Sequence, residues 1–425
     1  MIWVSQLPER AHREQWRYHP LRAVAAAASV FGAVVAWTLV MGPAVAAPGG
    51  GGCVPVRTRA HHSEGASSWN RAYPRPRGDL DAVMVFLSFP DSPPKLTTRA
   101  VEADHFPATS RFFARASYGR FRLHAHAAHR WLRMPGTSYS YGIRRDWADA
   151  DRARYLRDAV AVADKAVDFA KYQVVYLVAD PDAPGVDSDA TKVVNLARPI
   201  RADGVSLRRL VTVFEHHPPD RNVLAHETGH AFDLPDLYYR PPAGSTADWD
   251  THVGDWDLMG SQFGLAPDPF AWHKWRLGWL RKGQVRCVRH GGAPHWYELS
   301  PSDAGAAAPG GTARLLVVPT GGDSALAIEV RGGAGNDARA CRRGVLLYEV
   351  RADVGSGDGP IDVLDGHPGT GACANTSVYP PLADAPLGVG ESFSYDGQDG
   401  STVRVTVAGR AADGSWTVKV TDDQA

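Results

Sequence analysis

The sequence has no excess charge of either sign. Lys and Arg number 46, and Asp and Glu number 46. Nothing global therefore draws the chain to DNA, RNA or an anionic bilayer, and no nucleic-acid partner is expected. Cysteine is scarce, at four residues in 425. No C-x-x-C pair occurs, which argues against a cysteine zinc site. Internal repeats are missing, and low-complexity sequence is confined to the apolar N-terminus and the glycine run behind it. Disorder on a large scale is also excluded, because apolar residues make up 44% and charged residues 22%, as in ordinary globular chains. The length suggests two or three domains.

What is present begins with a targeting signal. Arg10, Arg13, Arg17 and Arg22 precede an uncharged apolar run, Ala23–Met41. The run ends in GPAVAA, where Ala44 and Ala46 form an A-x-A cleavage pattern. Residues 1–47 are expected to be a signal peptide and the protein to be secreted. The alternative is an uncleaved membrane anchor, since the run is close to spanning length. The four cysteines would then oxidise to two disulfides. Cys341–Cys373 with Cys53–Cys287 is the expected pairing, closing one local loop and tying the N-terminal tail to the body.

Residues 48–79, with PGGGG and scattered Arg, His and Ser, suggest a loose leader or pro-segment. Asp81–Phe89 (DAVMVFLSF) and Tyr172–Asp180 (YQVVYLVAD) suit buried strands. Between them, the first half of Arg111–Leu132 suits a helix, Tyr118-Gly119 a turn and Phe121 onward a strand. Ala148–Phe169 has helical spacing. Strand and helix alternate, as in an α/β (α+β) fold over residues 80–285. Beyond about residue 284, short runs such as TARLLVVPT, SALAIEVRG, GVLLYEVRA, STVRVTVAG and SWTVKVTD predict an all-β sandwich domain over 286–425.

The chemistry lies in NVLAHETGHAFDLPDLYY, Asn222–Tyr239, which contains H-E-x-x-H as His226, Glu227 and His230. Positions i and i+4 share a helix face, so both imidazoles can hold one zinc ion. Glu227 sits about 100° further round, beside the metal rather than on it. The apolar setting (Val223, Leu224, Ala225, Ala231, Phe232) implies burial, which is costly for Glu and His without a metal or partners. Asp236, ten residues after His226 and past Pro235, is available as third ligand. The nearest downstream Glu is Glu298, in the expected β domain. His252, Asp248, Asp250, Asp255 and Asp257 are weaker candidates.

The string H-E-x-x-H followed by Asp236 resembles the long zinc motif of metzincins, H-E-x-x-H-x-x-G-x-x-H/D. HETGHAFDLPDLY is similar to the immune inhibitor A family of secreted bacterial metallopeptidases. So are WDLMG (Trp256–Gly260), as a Met-turn with Met259 under the metal, FAWHKWRLGWL (Phe270–Leu280), VMVFLSFPD and ASYGRF. The likeness covers residues 80–285, with fainter G-V-L-L-Y and G-E-S-F patterns beyond. It implies a metzincin-like zinc protease domain and an endopeptidase acting on protein or peptide substrates. Zinc would be held by His226, His230 and Asp236, with Glu227 as general base. One departure is Asp233, where the motif has Gly to turn the chain sharply; Asp tolerates that conformation less easily, and Asp233 is itself an alternative ligand.

Tyr238, Tyr239, His216 and His217 are candidate oxyanion donors. A thiolate switch at Cys53 is the alternative to its disulfide, though GGCVPV matches no known switch motif. Asp180–Asp189 and Asp248–Asp257 offer oxygens of the kind calcium takes, with solvated loop carboxylates as the simpler account. The protein is expected to be a monomer. The rival to a peptidase is a secreted binding or adhesion protein with a silent protease-like domain; another is a structural zinc site.

Overall fold

β1 (Gly78–Ser88) and β3 (Val174–Ala179) carry the continuous apolar runs of the N-terminal half. Strands apolar on both faces need cover on both. The computed structural model, which describes residues 53–288, 294–305 and 312–423, shows how that cover is provided. The expected signal peptide lies outside the described residues. With β2 (Phe121–Arg133), β4 (Lys192–Ala202) and β5 (Val205–Val213), the two strands form a sheet in the order β2-β1-β3-β5-β4. All pairs are parallel except β4, which runs antiparallel along one edge.

Helices α1 (Thr98–His105), α2 (Ala108–Ala116) and α4 (Val223–Ala231) supply Val101, Phe112, Phe113, Leu224 and Ala225 to the core that contains Ala82, Met84 and Phe86 of β1. On the other face, α3 (Asp149–Ala163) packs Tyr155, Leu156, Ala159 and Val160 with Val83, Val85 and Leu87. Helix α3 stops short of Phe169. Asp203 takes the Phe169 N–H at 2.7 Å and Asp168 the Ala170 N–H at 3.1 Å, which starts a separate turn.

After α5 (Ala271–Leu277) the described residues form strands joined by loops and short 3-10 turns, with no further α-helix. β6 (Val285–Cys287), β8 (Leu315–Pro319), β9 (Ser324–Arg331), β10 (Gly344–Arg351) and β11 (Ile361–Val363) form one sheet. β7 (His295–Leu299), β12 (Ser392–Asp396), β13 (Thr402–Arg410) and β14 (Trp416–Asp423) form a second. Leu316, Val318, Leu326, Ile328 and Val345 of the first pack with Val403, Val405, Val407, Val418 and Val420 of the second. The opposite face of the first sheet (Leu315, Val317, Ala325, Ala327, Tyr348) joins the core around Trp256, Trp272 and Trp279. This explains the two kinds of strand: β9 is buried throughout, whereas β13 alternates toward solvent. The chain is thus a mixed α/β fold with several sheets and few helices. Its hydrophobic packing continues across the expected boundary near residues 284–295.

Both disulfides pair as expected, Cys53–Cys287 and Cys341–Cys373, with Cα–Cα separations of 5.8 and 6.1 Å. The segment after Cys53 is not loose. Thr58 Oγ1 and Ser63 Oγ both donate to the Ala352 carbonyl, at 2.5 and 2.6 Å, and Glu64 is wholly buried. Its polar side chains find partners in the folded body, which composition alone does not reveal. Among the described residues no helix is long and apolar enough to cross a membrane.

Candidate metal centre

All nine residues of helix α4 are buried, its polar side chains His226, Glu227, Thr228 and His230 included. Its end is shaped by a residue in the left-handed region. Asp233 has φ +67°, the Asp233 N–H reaches the His230 carbonyl at 3.1 Å, and the Leu234 N–H reaches the Gly229 carbonyl at 3.2 Å. That is a Schellman ending with Asp where Gly is usual. The turn is therefore made despite the departure noted in the sequence. It reverses the chain so that Pro235 and Asp236 come back to the helix face carrying His226 and His230.

The ligand atoms are aimed by backbone carbonyls. His226 Nδ1–H donates to the Leu258 carbonyl at 2.9 Å, and His230 Nδ1–H to the Leu234 carbonyl at 2.8 Å. Each ring thus presents Nε2 inward. The two Nε2 atoms are 3.2 Å apart, and Asp236 Oδ1 lies 2.9 Å from that of His230 and 3.4 Å from that of His226. Ligand atoms bonded to zinc at about 2.0–2.1 Å on a tetrahedron stand about 3.3 Å apart. The three atoms fit that spacing. Asp236 Oδ1 is buried and has no hydrogen-bond donor among the described residues. Three electron-pair donors facing one point require positive charge between them. The local electrostatics make the same demand. Burial by itself disfavours the His230 imidazolium, yet the Asp236 carboxylate holds it up at about 9. Asp236 in turn is drawn well below its ordinary range, against its own burial, chiefly by His230.

Asp236 is fixed from elsewhere in the chain. Its Oδ2 accepts from Ser356 Oγ at 3.1 Å and from Arg240, and its N–H donates to Ser356 Oγ at 2.9 Å. Glu227 stays off the three-atom cluster. Its Oε2 accepts the Val193 N–H of edge strand β4 at 2.7 Å, and burial raises its carboxyl above the usual range despite the neighbouring imidazoles. Met259 is fully buried under the helix. A Cβ on Gly229 would lie 2.5 Å from its Sδ, so the close approach needs glycine.

The other sequence candidates lie apart from this cluster. Asp233 turns its carboxylate to Arg57 and His62, at 2.6 and 2.8 Å. Asp257 accepts from Met259 N, Phe270 N and His273, and Asp255 from Leu265 N, Val378 N and Ser377. Asp248 accepts the Asp250 N–H, His252 faces Asp362, and Glu298 faces Ser415. In the two Asp-rich stretches, Asp180, Asp187 and Asp248 accept nearby backbone N–H groups, and neither stretch gathers a group of converging ligand atoms among the described residues. Of the oxyanion candidates, Tyr238 stacks beside His226 with ring centroids 6.3 Å apart, and Arg240 donates to its hydroxyl at 3.0 Å. His216 and His217 bind Pro181 and Asp104 instead.

Sequence reasoning missed Val193, Ser356 and the carbonyls of Leu234 and Leu258. Three of these act through backbone atoms, which leave no signature in residue type. Arg240 had a usable signal, standing four residues after Asp236. No protein-family model matches this chain, and no curated protein matches it in sequence.

Proposed function

We propose that the protein is a secreted, metzincin-like zinc endopeptidase, with zinc on His226, His230 and Asp236 and Glu227 as general base. The observation that carries the proposal is the convergence of three buried ligand atoms, each ligand fixed by a further hydrogen bond, beside a carboxylate held separately by Val193. The likeness of HETGHAFDLPDLY and WDLMG to the immune inhibitor A family supports it. Two disulfides agree with an extracellular setting.

Zinc bound there supplies Lewis acidity and makes water nucleophilic near neutral pH. The protein's part is positioning and proton transfer. Val193 fixes Oε2 of Glu227, while Oε1 makes no hydrogen bond among the described residues. As water adds to the peptide carbonyl, Glu227 accepts its proton. The same proton passes to the amine nitrogen as the C–N bond breaks. Raised by burial, the carboxyl is suited to hold it between the two steps. Tyr238, whose ionisation is disfavoured by burial, keeps a hydroxyl at the rim to meet the developing oxyanion.

Casein cleavage by wild type and Glu227→Gln, with zinc content measured on both, tests this. The variant should keep its zinc and lose about 10²–10⁴-fold in kcat/KM. Two zinc-loaded proteins that both leave casein intact would point to a binding role with a silent domain. Two zinc-free proteins would remove the site assignment.

A further inference from the structure

We propose that the segment Cys53–Gly65 is a permanent part of the metal centre. Arg57, His62 and Glu64 are positioning residues for the two stretches that aim the ligands. The inference rests on the zinc reading of the preceding section.

The first stretch is the turn at Asp233. An L-residue with a side chain rarely adopts φ +67°, and something must hold it there. His62 Nδ1–H donates to one carboxylate oxygen at 2.8 Å, and Arg57 donates to the other at 2.6 Å. The Asp233 carboxylate is only 2% exposed, so these two partners come in place of water. From the far side, Arg276 donates to the Asp233 carbonyl at 3.3 Å. Arg276 is itself fixed by Glu64 Oε2 at 2.7 Å and the Ser63 carbonyl at 2.9 Å. Three residues later the chain delivers Asp236.

The second stretch holds Met259. Glu64 Oε1 meets His273 Nε2 at 2.8 Å, and His273 Nδ1 meets Asp257 Oδ2 at 2.9 Å. Asp257 Oδ1 then accepts the Met259 N–H at 2.7 Å. The carbonyls on either side of that peptide link do the aiming, with Leu258 holding His226 Nδ1 and Met259 holding the Leu237 N–H. One buried carboxylate of the N-terminal segment is thus wired to both supports of the metal site.

The segment is shaped for this place. A Cβ on Gly65 would lie 2.3 Å from the Arg57 Cα, so the loop closes on itself only with glycine there. The Cys53–Cys287 disulfide pins its start. An inhibitory leader would put a group onto the ligand atoms. Among the described residues, this segment makes no hydrogen bond to His226, His230, Asp236 or Glu227; the His62 ring stands 6.0 Å from that of His230 and spends Nδ1 on Asp233. A maturation cut that leaves an active protein must therefore keep Cys53–Gly65 attached, through the chain or through the Cys53–Cys287 disulfide.

Two experiments decide the matter, both read by zinc affinity against a chromophoric chelator as well as by turnover. In the first, Arg57→Ala with His62→Ala is made in the native chain and again with Asp233→Gly, since glycine takes the left-handed turn unaided. Native-background zinc affinity should fall about 10–100-fold, with kcat reduced more than KM is raised. In the Asp233→Gly background the same pair should cost less than about threefold. Equal losses in both backgrounds, or none in either, would overturn the proposal. A native-background variant that fails to fold supports it only if Asp233→Gly restores folding, and otherwise counts against it.

In the second, a specific protease site is placed between Ser68 and Tyr73 and cut, with and without Cys53→Ser and Cys287→Ser. The tethered cut chain should keep its zinc and the released one should lose it. Release that raises turnover, or leaves zinc affinity unchanged, sinks the idea. A wild type that binds zinc but cleaves nothing defeats the peptidase reading alone, because zinc affinity still judges the segment. A wild type that takes up no zinc defeats both.

Discussion

Two groups of His and Asp come together among the described residues, and they are built differently. His226, His230 and Asp236 are buried; Asp365, His367 and Asp384 are half-buried. In the first group each imidazole spends only Nδ1, on a backbone carbonyl, and turns Nε2 toward the other ligands. In the second, His367 spends both nitrogens, Nδ1 on the Asp384 carbonyl at 2.6 Å and Nε2 on Glu391 at 3.0 Å. The Asp384 carboxylate meets the Thr370 hydroxyl at 2.9 Å, and Asp365 accepts the His367 N–H at 2.8 Å. Glu391 also holds Arg342, which makes the group part of a surface ion-pair network. Proximity of ligand types does not make a metal site. A metal site also needs lone pairs that converge, with their other hydrogen bonds already assigned.

The largest effect expected from this contrast comes from removing one convergent nitrogen. Structural zinc sites bind with roughly 10–16 kcal/mol, so one ligand in four accounts for roughly 3–4 kcal/mol, or ~10²–10³ in affinity. His230→Ala should lose at least that much zinc affinity, and turnover with it. Equilibrium dialysis against a chelator would measure the loss. A variant that binds zinc as tightly as wild type would break the comparison at its strong end.

The strong end was also the part legible in the sequence. Helical periodicity places His226 and His230 on one face whatever the surrounding fold, and the spacing to Asp236 needs only a helix end and a turn. The continuous runs of β1, β3, β9 and β10 were legible for a similar reason, since strands buried on both faces leave no alternation to misread. The edge strand β4 was not. KVVNLARPIRA has Arg and Pro where a strand signal should be, and its contribution to Glu227 is a backbone N–H. The segment after Cys53 was hidden by distance. His62 lies 171 residues from Asp233 and Glu64 lies 212 residues from Arg276, so their polar side chains look solvated until the chain is folded. Local pattern reports local geometry; a buried charge paired across the fold has no local pattern.

A smaller effect sharpens the comparison by burial alone. His273, like His367, has partners on both nitrogens, but it is wholly buried between Glu64 and Asp257. Burial disfavours its charged form, yet the two carboxylates raise it from 6.5 to about 9. A raised imidazole contributes stability that is complete below about pH 6.5 and is lost as pH climbs through about 9. The shift corresponds to roughly 3 kcal/mol. Urea midpoints of the zinc-saturated protein should therefore fall between about pH 6.5 and 9. Zinc saturation keeps His230 from adding its own titration. In His273→Gln that part of the slope should vanish, from a starting stability already lower, because a buried ion pair has been broken. Parallel pH profiles for the two proteins would show that His273 stays neutral and that Glu64 leans on Arg276 alone.

The smallest effect is expected at His367, and its smallness is informative. Ligand atoms of His367, Asp365 and Asp384 lie within 4.8 Å of one another, so proximity alone predicts a metal loss when His367 is removed. The direction of its nitrogens predicts otherwise. His367→Ala takes away contacts to a backbone carbonyl and to a carboxylate that retains Arg342 at 2.9 Å, and exposed pairs of this kind contribute about 0–1 kcal/mol. Zinc stoichiometry should remain that of wild type, and casein turnover should change by less than about twofold. The urea midpoint should move by no more than surface substitutions usually cause, within about 0.5 kcal/mol. Loss of a metal equivalent in His367→Ala, with turnover intact, would show a second site that its hydrogen bonds conceal. Loss of turnover as well would mean that the β half takes part in the chemistry through more than its hold on Asp236 by Ser356.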